Sequence, residues 1–328
     1  MPNAAVSDAE FLEIWKRHGS AQGVADQLGI AVRSVHNRRK RFKERGFDLP
    51  SIPAVGYEGH VPDYYRDDEQ GWTFPRELRR SWDTGSVVIS SDHHYWPNQD
   101  PVAHRALLKV CKVVKPRAKI LNGDVMDGVR TGRHPPFGWS HRPSVIDELT
   151  ICQQRLGEIE QALPRGCERI WNIGNHDIRF ERAVATKAPE FTGVKGMRLA
   201  DHFPGWEMYW STLINGETAH PVMVKHKNAG GVHAGYNNTM KGGFTSVTGH
   251  THILEAKPWG DWRGRRWGIQ TGTICDLHAP QFEYQENSPS PACSGFVVLT
   301  FAGGQLLPPE TCEVISGRAW FRGQIVAE

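Results

Sequence analysis

Five times in this 328-residue chain, a short apolar run breaks off into side chains that can bind metal. "SVVISSDHH" ends in Asp92 and His94, "KILNGDVMD" in Asp124 and Asp127, and "RIWNIGNHD" in Asn175, His176 and Asp177. "PVMVKHKN" ends in His226, and "FTSVTGHTH" in His250 and His252. Runs of this length and composition predict buried strands. In α/β sheets, ligands gather at the carboxyl ends of strands. Either each run has its own unrelated polar turn, or all five ends converge on one edge and hold metal ions. Nitrogen and oxygen donors without a thiolate suit Mn, Fe, Zn or Mg.

The elements around these runs set the fold class. Strands at 86–90, 118–122 and 168–173 alternate with helices at 101–114, 144–163 and 177–187, an α/β rhythm. Strands then follow at 207–213, 221–225, 244–248, 252–257, 265–272 and 294–301. Residues 46–85 carry four prolines and no sustained period, and read as a linker or docked arm. Apolar content of 39% with 23% charged residues is ordinary for a soluble protein. No run of ~18 apolar residues predicts a membrane span. The acidic start "MPNAAVSDAEFLEIWKRHGS" lacks the apolar core of a signal peptide. Six cysteines without a C-x-x-C pair argue against a zinc ribbon and for reduced, mostly buried thiols in the cytoplasm.

Charge is unevenly placed. Residues 33–45, "RSVHNRRKRFKER", hold seven Arg or Lys against one Glu, a net +6 within a chain of net +3. A local basic stripe points to a polyanionic partner. Helices are expected over 7–18, with Ser7 as cap, over 21–28, and over 32–45 after a turn at Gly29. The stretch "GVADQLGIAVRSVHNRRKRF" resembles the helix-turn-helix of DNA-binding proteins, with Val24, Leu28, Ile30 and Val35 at its apolar positions and Ala25 at the helix crossing. That resemblance implies that the last helix enters the major groove, with Arg33, Ser34, His36, Asn37, Arg39 and Lys40 as contacts. The alternative is a three-helix appendage used for assembly.

The ordered motifs D-x-H, G-D-x-x-D, G-N-H-D, an isolated His and G-H-x-H resemble the calcineurin-like metallophosphoesterase superfamily over about residues 86–275. The resemblance implies a β-sandwich flanked by helices over 86–328, preceded by the small helix-turn-helix domain (residues 1–45) and the arm. It implies two divalent metal ions, manganese first, with Fe, Zn or Mg as alternatives. Asp92, His94 and His252 would complete one metal site, Asn175, His226 and His250 the other, with Asp124 bridging. It assigns His176 as the acid that protonates the leaving group and Asp127 as its orienting partner. Lys227 stands where the family usually has Gly after the isolated histidine, which keeps His233 as a rival to His226. Asp177 reads equally as a helix N-cap or as a support behind the ligands.

The implied reaction is phosphoester hydrolysis by a metal-bound hydroxide, without a phosphoenzyme. Superfamily members include DNA-repair nucleases, protein phosphatases and nucleotide phosphodiesterases. The basic helix favours DNA as the phosphodiester, with no membrane partner. A phosphatase or cyclic-nucleotide phosphodiesterase, or a DNA-binding regulator with a non-catalytic metal domain, are the rivals. Arg130, Arg133, Phe137 and Trp139 of the insertion 128–143, and Tyr95 and Trp96, are candidate substrate contacts, against a role in packing. His93, His134 and His141 read as exposed loop histidines.

Overall fold

Ser7 starts the first helix: its Oγ accepts from Glu10 N at 3.2 Å, a cap for an otherwise unpaired donor. The computed structural model describes residues 6–18, 21–45, 73–132, 141–262, 264–286 and 288–328, and the chain divides into two units, 1–60 and 61–328. The first unit holds α1 (Asp8–His18), α2 (Ala21–Leu28) and α3 (Val32–Glu44). Gly29 turns the chain between α2 and α3 with a φ of 61°, which a side chain would resist. Phe11, Ile14, Trp15, Val24, Ala25, Val35 and Phe42 form its core.

Part of the basic stripe is folded back onto this bundle. Arg38 and Arg45 reach Asp8 at 3.0 and 2.7 Å, and the Arg39 guanidinium lies 5.0 Å from the Trp15 ring centre. Arg33, Ser34, Asn37 and Lys40 stay exposed. The side chain of His36 lies outside the described residues.

The second unit runs β1 (Leu78–Arg80), β2 (Gly85–Ser90), α4 (Val102–Val114), β3 (Ala118–Leu121), α5 (Val145–Ala162), β4 (Glu168–Asn172), α6 (Ile178–Lys187), β5 (Glu207–Tyr209) and β6 (Ser211–Ile214). It continues through β7 (Val222–Lys225), α7 (Ala234–Gly242), β8 (Thr245–Thr248), β9 (Leu254–Asp261), β10 (Gly264–Thr271) and β11 (Gly295–Ala302). The last elements are β12 (Gln305–Leu306), β13 (Glu310–Ile315), β14 (Arg318–Phe321) and β15 (Gln324–Ala327). One sheet has the order β1-β6-β7-β8-β10-β9, and the other β15-β14-β13-β11-β2-β3-β4-β5, with β12 beside β11.

Alternation explains the layering. Val87, Ile89, Ile120, Ile170 and Val297 share a core with Ile214, Val224, Val247 and Ile269 of the other sheet. Their neighbours Val88, Leu121, Trp171 and Val298 join a second core with Leu107, Val110, Cys152 and Leu156 of α4 and α5. Strands covered on both faces are apolar throughout, which is why these runs were legible. The second unit is thus a mixed α/β fold, two sheets sharing one core and flanked by helices.

Several expectations change. The strand expected over 207–213 is two strands, β5 and β6, and the chain changes sheets between them at Trp210. The arm expected to continue to residue 85 already contributes β1, whose Leu78 to Arg80 pair in parallel with Thr212 to Ile214. Helix α7 and strands β12 to β15 carry no motif and went unforeseen. His93 is fully buried, its Nε2 2.8 Å from Ser90 Oγ. Arg133, His134, Phe137 and Trp139 lie outside the described residues.

The core also hides a lysine. Lys119 is in register with Val88 on β2, is fully buried, and its Nζ donates to Ser90 Oγ and to the Ile120 carbonyl. Burial pushes its pKa down to about 7, whereas an unfolded lysine titrates near ~10.4. Between these values the unfolded chain binds more protons, so this group makes stability rise with pH. Chemical denaturation should therefore show wild type gaining on Lys119→Met as pH rises from about 7 toward ~10.4. A gap independent of pH would contradict this.

Candidate metal centre

β2, β3 and β4 are parallel neighbours, so their carboxyl ends share one edge. β7 and β8 are likewise parallel in the other sheet. The two edges are stitched together by polar groups. Asn172 Nδ2 donates to the Val224 carbonyl at 3.1 Å, and His226 Nδ1 donates to the Asn122 carbonyl at 2.7 Å. That second bond orients the ring so that His226 Nε2 faces the site.

Three groups of potential ligands form there. They are Asp92, His94 and His252; His94, Asp124 and His176; and Asp124, His226 and His250, with the ligand atoms in each group within 4.8 Å of one another. His252 Nε2 is 3.1 Å from Asp92 Oδ1, and His226 Nε2 is 3.1 Å from Asp124 Oδ2 and 3.2 Å from Asn175 Oδ1. The other six expected ligands thus join Asp124 in or beside these linked groups. His233 is exposed at the start of α7, away from the groups that include His226.

The donor set fits divalent cations. Buried His94 Nε2 has no hydrogen-bond partner, while its Nδ1 is 3.0 Å from Asp127 Oδ1. An unpaired buried nitrogen costs free energy, and a cation beside Asp92 would satisfy it. Burial alone would raise Asp92 and Asp124, but His252 and His226 outweigh it and hold both carboxyls below their usual range. His226 goes the other way: burial would lower it, but Asp124 and Asp92 push it up to about 10. His250 falls to about 4, through burial and the adjacent His226. Protons here supply the counter-charge that cations would supply.

Backbone strain is concentrated at the same groups. Asp92, His94, Asp124, His250 and His252 all adopt positive φ, between 41° and 69°. Such conformations cost ~1–3 kcal/mol each and persist where the surroundings over-determine them. Gly123 and Gly174 allow the close approach that results. A Cβ on Gly123 would collide with the His226 ring, and one on Gly174 with Asp124.

Asp177 resolves in favour of support. It occupies the N-cap position of α6 but makes no capping hydrogen bond. Its buried carboxylate instead accepts from the backbone N–H groups of Asp124, Val125, Met126 and Gly174 at 2.9, 2.9, 3.2 and 2.8 Å, and from Trp171 Nε1 at 3.0 Å. It therefore shapes the loop that carries Asp124.

His176 and Asp127 meet as expected, with Nδ1 2.8 Å from the Asp127 carbonyl and 3.3 Å from its Oδ1. Asp127 is also shared with His94. Two neighbours escaped sequence reasoning. Arg179 donates to the Asp127 carbonyl and to His176 Nε2, both at 2.9 Å; its position three residues beyond His176 on a helix was the available signal. Glu148, inside α5, accepts from Gly128 N and Val129 N at 2.6 and 3.1 Å. Burial and Asp127 push it up to about 7, and a glutamate in the first turn of a helix carries no such signal. Of the expected substrate contacts, Tyr95 is packed inside with its hydroxyl 2.9 Å from His104 Nδ1, whereas Arg130 is exposed but donates to the backbone carbonyls of Pro143 and Arg142.

No protein-family model matches the sequence, and no curated protein does. Among solved structures, Vps29 of Entamoeba histolytica complexed with zinc is similar at 12% identity and a TM-score of 0.39, over 74% of this chain and 99% of that one. A predicted phosphoesterase of Streptococcus pneumoniae TIGR4 is similar at 10% identity and 0.29, over 74% and 99%. An archaeal phosphodiesterase is similar at 13% identity and 0.34, over 70% and 99%. At these scores the likenesses carry no functional weight, and the residues themselves must.

Replacing Asp177 with Ala strands five donors. Asp177→Ala should destabilise the protein by about 3 kcal/mol or more in denaturation and weaken manganese binding in calorimetry; unchanged values would contradict its role. Because His226 holds its proton up to about 10, cation uptake should expel a proton and tighten as pH rises from 6 to 9. Calorimetry in buffers of different ionisation enthalpy reads that proton, and pH-independent affinity would contradict it.

Proposed function

We propose that this protein is a dinuclear metal-dependent phosphoesterase that hydrolyses phosphodiesters. The observation that supports it most is the meeting of three His/Asp groups on Asp124 and His94. Asp92, His94 and His252 would hold one ion, and Asn175, His226 and His250 the other, with Asp124 shared. Manganese is the first choice, and Fe, Zn or Mg also suit the donors. Two such ions would neutralise charge on a phosphoryl group and lower the pKa of water toward neutrality.

The chain's own residues then do the rest. His176 donates Nδ1–H to the Asp127 carbonyl, which orients Nε2 as the proton-carrying atom toward a leaving group. Burial would lower its pKa, but Asp124 and Asp127 outweigh that and raise it, so the imidazolium can form. Arg179 donates to that same Nε2, so protonation of His176 requires the guanidinium to turn away. Its charge is then available to the substrate's anionic oxygens.

DNA is the proposed substrate polymer, supported by the net +6 of residues 33–45 and the exposure of Arg33, Ser34, Asn37 and Lys40. The second reading, helices used for assembly by a phosphatase or cyclic-nucleotide phosphodiesterase, draws support from Arg38, Arg39 and Arg45 being engaged within their own bundle.

With manganese, bis(p-nitrophenyl) phosphate should be cleaved faster than p-nitrophenyl phosphate, and single- or double-stranded DNA should be cut. His176→Ala should keep metal and lose ~10²–10⁴-fold in rate, most on esters with poor leaving groups. A preference for the monoester would overturn the diesterase reading. Deleting residues 1–45 should weaken DNA binding and flatten its salt dependence, by ~0.9 in log–log slope for each phosphate no longer neutralised. Unchanged binding would assign the helices to assembly.

A further inference from the structure

Beside the metal centre lies an open groove of about 940 Å³, at the upper end of the ~300–1,000 Å³ range of small-molecule sites. Its lining is tied to candidate ligand residues. Trp96 follows His94 by two positions and lines one side; Ala292 lines the groove next to Cys293, whose N–H donates to the His252 carbonyl at 2.8 Å. Phe282 also lines the groove, its ring centre 5.2 Å from that of His252 and 6.1 Å from that of His94. The neighbouring Gln281 Nε2 donates to the His94 carbonyl at 2.9 Å, locking this segment to the centre.

The lining has a definite chemistry. Trp96 is half-buried, and Pro280 and Pro289 add apolar surface. Its ionisable groups are the exposed carboxylates of Glu283 and Glu286 and the imidazoles of His141 and His278, and no lysine or arginine is among the described lining residues. A nucleobase stacks favourably on tryptophan. Carboxylates accept from base N–H groups and sugar hydroxyls, and they repel a further phosphate.

We propose that this groove binds the nucleoside esterified to the scissile phosphate, and that it selects a nucleoside bearing no further phosphate. The protein would then act at a chain terminus or on a short diester rather than in the interior of a strand. This rests on the phosphodiesterase reading and deepens it. The basic helix α3 and the acidic groove have compatible tasks on a polymer: one retains the chain, and the other receives its uncharged end.

The test uses full-length, manganese-loaded protein with three esters: thymidine 5′-(p-nitrophenyl phosphate), its 3′-phosphorylated counterpart and methyl p-nitrophenyl phosphate. The first should exceed both others by tenfold or more in kcat/KM. Trp96→Ala should cut its advantage over the methyl ester about tenfold. The double variant Glu283→Gln, Glu286→Gln should narrow the penalty of the 3′-phosphate. Equal kcat/KM for the three esters, or a Trp96→Ala ratio like that of wild type, would overturn the groove while leaving a diesterase. Calorimetry with thymidine alone gives a reading independent of turnover. Uptake lost in Trp96→Ala supports the groove even if no ester is cleaved, and no uptake by wild type contradicts it.

Discussion

The carboxylate of Asp124 is the group on which the rest depends. It lies within reach of His226 and His250 on one side and of His94 and His176 on the other. Its Oδ1 accepts from the His176 N–H at 2.7 Å, which ties the end of β4 to the end of β3. A buried carboxylate beside a second, Asp92, is costly unless positive charge sits between them. Imidazolium protons can serve, but the five further donors around the pair, His94, Asn175, His226, His250 and His252, also suit cations.

The surroundings carry the cost of that arrangement. Five ligand candidates have left-handed backbones, and Asp177 anchors the Asp124 loop through main-chain donors. Sheets buried on both sides supply the rigid frame, because parallel β2, β3 and β4 fix where three loops begin. Preorganisation of this kind suits a centre whose work is electrostatic. Loops alone would not hold such groups to within a few tenths of an ångström.

The candidate metal-binding edge was legible because strand pattern and candidate ligands coincide there. Each ligand follows directly on an apolar strand, so periodicity placed the strand and the motif placed the ligand. What failed to show depended on distance in sequence. The sheet change at Trp210 interrupts an unbroken run of strand-formers, and nothing local marks it. Glu148 meets Gly128 and Val129 across 20 and 19 residues, and reads in isolation as a solvated helix face. His93 sits between two conspicuous groups and looked exposed, yet it packs with Ser90 and Tyr95 in the interior. The segment from 277 to 292 has no periodic signal, and gains meaning only from its contacts with His94 and His252.

The central claim is that two cations share Asp124. Anomalous diffraction from crystals grown with manganese addresses it most directly. The account predicts two peaks flanking Asp124, one among Asp92, His94 and His252 and the other among Asn175, His226 and His250. Manganese bound elsewhere, or a single ion that leaves Asp124 without contact, would contradict it.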